Sequence, residues 1–270
     1  MFSNLLLVLG VAALSAGLRS FRHPVLFRLG TLAIVATSFL AGWLLGGNIW
    51  LGVAFAISWL FLPWLEILTR VRHLRLPADR ALAPRRPPSR HTFPGFDEIT
   101  GEVESQGFEH VEDTGFDDGG NRQFFRVFHH PSKRLQASIC LIEQSDIAFF
   151  YISLTTRTED GRTLVTWNYP FSYGLKLVPR LRMNRVTGDR PFGDLLVEHE
   201  GFLDRSGAGK VVAQSPDEVL AAMQDDLRAQ ISYNLDAGLL KKDGPKFIRY
   251  TVRGMFYLWM QFLRDLVRFF

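Results

Sequence analysis

The residues whose type and spacing best suit chemistry are Glu198, His199 and Glu200. A histidine flanked by carboxylates is material for general acid–base work, because its ordinary pKa lies near neutrality and neighbouring charge moves it. Helical spacing places His199 on one stripe with Leu195, Leu196, Phe202 and Leu203. A catalytic role there needs a second group from a distant element, and His129 or Asp146 are the candidates. The competing reading is a core histidine with both ring nitrogens hydrogen bonded. His129-His130 closes a strand-like run before Pro131. Adjacent strand residues point to opposite faces, so these two rings do not converge on one metal. Arg180, Arg182, Arg185 and Arg190 form a basic run suited to an acidic partner or a lipid headgroup, or to pairing within the chain.

Other chemistry is missing from the pattern. The sequence has no G-x-S-x-G elbow and no H-E-x-x-H pair. Gly119-Gly120 precedes a strand, the wrong order for a phosphate loop. The turn at Asp117 to Asn121 lacks the alternating oxygen ligands of a calcium loop. Cys140 is the only cysteine, which excludes an internal disulfide or a cysteine zinc site. No cofactor and no metal are predicted, and His199 is the sole catalytic candidate.

The elements that would carry these residues begin with three uncharged apolar stretches, at about 2–18, 29–45 and 49–65. A spanning helix needs ~20 apolar residues, with a range of about 17–25. The stretches therefore predict a transmembrane anchor over residues 1–69, with Gly46-Gly47-Asn48 as a tight turn. Trp43, Trp50, Trp59 and Trp64 lie toward stretch ends, and Pro63 is expected to kink the third helix. Arg19, Arg22 and Arg28 occupy the first connection, and Arg70, Arg72, Arg75, Arg85 and Arg86 follow the third stretch. Positive loops stay cytoplasmic, so the N-terminus is expected outside and the body inside. A run of small residues, Gly10, Ala12, Ala13, Ala16 and Gly17, reads either as a close-packed helix face or as ordinary membrane-helix composition.

Residues 70–94 are rich in proline and arginine and read as a linker. Residues 95–246 read as a cytoplasmic α+β domain. It has a helix near 96–106 and a four-stranded antiparallel meander at about 123–130, 136–143, 147–157 and 163–169. A further helix starts at Pro191 with Asp189 as cap. Another is announced by Ser215-Pro216-Asp217-Glu218, a capping box. Residues 247–270 read as an amphipathic helix with Arg249, Arg253, Arg264 and Arg268 in one sector. Bulky residues such as Trp259 and Phe262 lie opposite, the pattern either of a helix in the membrane interface or of one that covers the sheet with its arginines toward water or the acidic body.

Charge is uneven. Residues 1–91 carry 10 Lys/Arg against 2 Asp/Glu, residues 241–270 carry 7 against 2, and the middle carries 14 against 23. An acidic body with basic ends suits anionic lipid headgroups, not nucleic acid. The expectation is a multi-pass protein of the inner (plasma) membrane, serving as an accessory, scaffold or regulatory subunit beside other membrane-complex subunits. The alternative is a membrane-anchored enzyme or lipid-handling protein with an apolar pocket near His199.

Overall fold

A computed structural model describes residues 2–21, 24–89, 91–118, 120–144, 147–188 and 190–269, with backbone alone for Pro24, Phe27, Arg28, Gln144, Ile147 and residues 266–269. Arg22, Arg90, Gly119, Asp146 and Asp189, together with the side chains of Arg28 and Arg268, lie outside the described residues. The chain divides into two compact units. One is Met1–His73 with Met255–Phe270, and the other, the body, is Leu74–Gly254.

The first unit holds α1 (Phe2–Ser20), α2 (Pro24–Leu40) running into a π-helical turn (Ala41–Leu45), α3 (Ile49–Thr69) and most of α7 (Val252–Phe269). Among the described residues two helical stretches, Phe2–Ser20 and Ile49–His73, are long and apolar enough to cross a membrane; the apolar run Leu29–Leu45 is shorter. The expectation of three helices of spanning length is thus corrected to two. Asn48 caps α3, its Oδ1 accepting from Trp50 N at 2.8 Å, and Pro63 lies inside that helix. Close backbone approach occurs at glycines other than those on α1. A Cβ on Gly52 would stand 2.7 Å from Phe39 O, and one on Gly42 2.7 Å from Leu51 O, whereas Gly10 and Gly17 face open space.

The body is α+β. Seven strands form one mixed sheet in the order β2 (Ala83–Pro84), β3 (Glu109–Asp118), β4 (Asn121–His130), β5 (Leu135–Gln144), β6 (Ile147–Arg157), β7 (Thr163–Trp167), β8 (Leu181–Arg185). All pairings are antiparallel except β7 with β8. The expected meander is the centre of this sheet, extended by β3 on one side and β8 on the other. A second sheet joins β1 (Leu76–Pro77), β10 (Phe247–Tyr250) and β9 (Leu240–Lys242). The proline-rich segment is therefore not a free linker: Leu76 pairs with Ile248, Ala83 with Gly115, and Phe93 is buried. Residues 247–250 are also strand where helix was expected, with Ile248 fully buried.

Helices α4 (Phe96–Ser105) and α5 (Phe192–Arg205) cover one sheet face, and α6 (Pro216–Asp236) the other. The capping box at α6 forms, with Ser215 N donating to Glu218 Oε2 at 2.6 Å. Pro191 occupies the N-cap of α5, without a side-chain cap bond.

Candidate functional site: a cavity on one face of the sheet

Alternation along the strands sends neighbouring residues to opposite faces. Phe124, Phe128, Ile139 and Leu154 pack with Phe96 and Val103 of α4 and with Phe192, Leu195 and Leu196 of α5 in a closed core. His199 is sealed in this layer at 0% exposure. Its Nε2 lies 2.9 Å from Thr156 Oγ1 and its Nδ1 2.8 Å from Thr166 Oγ1. Burial lowers its pKa to about 4, outweighing the opposite pull of Glu200. The ring is neutral, satisfied by two threonines and enclosed, which is the core-histidine arrangement. Glu198 accepts from Arg205 at 2.7 Å, and Glu200 from Lys133 at 2.7 Å. Neither carboxylate builds a site with His199.

The opposite face holds a cavity of about 380 Å³ within the body. Its floor is Gln136, Ser138, Ser153, Thr155 and Thr163. The register sets Ser138 opposite Ser153 and Gln136 opposite Thr155. Gln136 reaches the covering helix, its Nε2 3.9 Å from Met223 Sδ, but the serines and threonines beside it are shorter, so space remains. Phe116, Phe125, Tyr151, Trp167, Tyr169 and Tyr173 form the aromatic walls. Met223, Asp226, Leu227 and Gln230 form the roof, and their spacing is that of one helix face. Leu74 and Tyr250, near the two ends of the body, also line it.

The roof is fastened by amides. Gln224 accepts from Leu82 N at 2.7 Å and donates to Arg80 O at 3.2 Å. Asn234 accepts from Lys176 N and donates to Lys176 O, both at 2.9 Å. The first clamp also delivers Arg80 to the cavity, where its Nη2 meets Asp118 Oδ2 at 2.8 Å. Burial raises the Asp118 pKa more than Arg80 lowers it. Across the cavity, Arg157 donates to Asp226 Oδ2 at 2.8 Å and to Gln136 Oε1 at 2.9 Å. Both lining guanidinium groups are thus matched by lining carboxylates.

Burial pushes the Cys140 thiol up to about 12 and the Tyr151 hydroxyl well above its ordinary value, and it raises Tyr173 as well. Asp118 Oδ1, Arg80 Nε and Trp167 Nε1 are buried without a hydrogen-bond partner, and all three residues line the cavity. Among the described residues no group of three or more His, Cys, Asp or Glu side chains is placed to hold a metal.

The other predicted residues are dispersed. His130 packs edge-on against Phe108 at 5.0 Å, and His129 is buried. Arg180 reaches Asp226 at 3.5 Å, and Arg185 donates to Pro170 O. Arg75 pairs with Asp243 at 2.9 Å and Arg85 with Asp117 at 3.1 Å, so part of the supposed topology signal is held by the body. Arg70 pairs with Glu66, Arg72 and Arg86 are exposed, and Arg19 packs across Gly30. Arg249 stands in β10, not on the terminal helix, which leaves Arg253 and Arg264 exposed on α7. Within the helical unit Trp259 packs against Trp64 at 5.9 Å and Phe61 at 6.5 Å, and its Nε1 donates to Leu60 O at 2.8 Å. Phe262 is half-buried, while Phe256 and Met260 are exposed.

Sequence reasoning missed the cavity residues altogether. A usable signal existed: Gln136, Ser138 and Cys140, then Ser153, Thr155 and Arg157, alternate along two central strands where bulky apolar residues are expected on a covered face. Comparison of the chain with protein-family models, curated proteins and solved structures returns no match.

Proposed function

We propose that this chain is an integral membrane accessory or regulatory subunit whose α+β body works on the cytoplasmic side. The observation that supports it best is that both ends of the body lead into one apolar helical unit, which contains two helices of spanning length. In this reading α2 crosses as well, through the apolar run Leu29–Leu45, whose 17 residues stand at the lower end of the ~17–25 that a crossing needs. The arginines at 19, 22, 28, 70 and 72 then set the body inside. Helix α7 lies at the inner interface, its one exposed stripe of Arg253, Phe256, Met260 and Arg264 turned toward the headgroup region. The competing enzymatic reading draws nothing from His199, whose nitrogens are occupied by threonines.

The lone cysteine makes the topology testable, because Cys140 is buried and its thiol is held neutral. Cysteine placed at Ser3 should react with a membrane-impermeant maleimide on intact cells, and cysteine placed at Asp204 only after lysis. Labelling of Asp204→Cys on intact cells would reverse the orientation. The subunit role is checked separately, by mild-detergent purification and mass spectrometry for companions at fixed stoichiometry. A solitary protein would end that part of the proposal.

A further inference from the structure

We infer that the cavity between the sheet and α6 is a binding site for an uncharged, flat aromatic molecule with polar groups along one edge. Three observations combine. Electrostatically, the cavity is neutral: Arg80 faces Asp118 and Arg157 faces Asp226, both at 2.8 Å. A charged ligand would have to break one of these pairs or be buried without a counter-charge, and either is costly. The chemistry is also layered. The floor offers Ser138, Ser153 and Thr155, which donate or accept, whereas the polar groups of the roof are already engaged: Asp226 with Arg157 and Arg180, Gln230 with Lys176 O, and the Met223 sulfur with Gln136 Nε2. A saccharide carries hydroxyls all round its ring, and those turned to the roof would lose their hydrogen bonds. An acyl chain would leave the floor unpaired. A flat ring with polar atoms on one edge satisfies floor and roof together. Finally, the surroundings suit a ring. Trp167 and Tyr169, packed on each other with ring centroids 5.1 Å apart at 33°, belong to the aromatic wall, and Met183 and Met223 bring adaptable sulfur contacts. The volume of about 380 Å³ falls in the range of small-molecule sites. This assignment is independent of the membrane reading.

The test uses the full chain in detergent micelles with 2-naphthol as probe, and with decanol and naphthalene-2-sulfonate as the chain-like and charged comparisons. Binding is measured by equilibrium dialysis against two cavity-filling variants, Ser153→Leu on the floor and Met223→Trp on the roof, so that partition into detergent cancels. The roof variant lies on a helix surface and decides the matter if the floor variant does not melt cooperatively. The expected result is saturable binding of 2-naphthol to the wild type, at least ~10-fold weaker in the filled variants, with neither comparison compound showing variant-sensitive binding. Equal 2-naphthol binding by wild type and filled variants overturns the inference. So does no saturable binding, or a preference for decanol or the sulfonate that the same variants abolish.

Discussion

The two faces of the central sheet are made by the same strands and finished in opposite ways. On the α4/α5 side, Phe128, Ile139 and Leu154 are sealed, and even His199 is absorbed as packing. On the α6 side, Phe125, Val127 and Trp167 pack as well, but the central positions are Gln136, Ser138, Ser153 and Thr155, under a roof held at its edges by Gln224 and Asn234. The lesson is that close packing and open space are divided by residue parity along β5 and β6. One set of side chains holds the sheet together, and the set one position away is free to leave room.

The division can be broken most severely at Phe128. Phe128→Ala should cost about 3–5 kcal/mol in denaturant unfolding, since the closed face has no space into which to relax. A result under ~1 kcal/mol, within the range of ordinary surface changes, would mean that this face is not the structural one. Next comes His199. Its folded pKa of about 4 lies below the ordinary 6.5. The unfolded chain therefore binds the proton more readily, and the contribution is complete above pH 6.5 and lost as pH falls toward 4. The loss is roughly 3 kcal/mol at full extent, and it should vanish from the stability–pH profile of His199→Leu. Arg157→Met, which cuts the tie between floor and roof, should cost about 1–2 kcal/mol, less than a fully buried pair because Asp226 keeps some exposure and a second partner in Arg180. Ser153→Ala should change stability by less than ~0.5 kcal/mol, which sharpens the contrast with Phe128 on the other face.

Much of the body was legible because its signals were local. The strands rich in Phe, Ile and Val, the Asp160-Gly161 turn and the Ser215–Glu218 cap are each written within a few residues. What escaped depends on distant partners. Strand β3, Glu109 to Asp118, is acidic along much of its length and becomes a strand because β4 lies beside it. Pro77 and Pro84 suggest a free coil, yet each sits in a two-residue edge strand where proline's missing donor is harmless. Phe247 to Tyr250 continued the arginine period of the following helix and so disguised a strand. The cavity escaped for a related reason. It is defined by small residues left on one face, which no motif records and only a known register assembles.

The pairing of β1 with β10 has a consequence for how the protein is made. Leu76 is synthesised near the start of the body and its partner Ile248 near the end. As the chain emerges from the ribosome, the first strand must wait, edge bare, while the intervening body is translated. Its closing partner arrives only just ahead of the terminal helix. Assembly of the body is therefore expected to complete late and all at once. A stalled or shortened product would expose an apolar strand edge and mark itself for quality control.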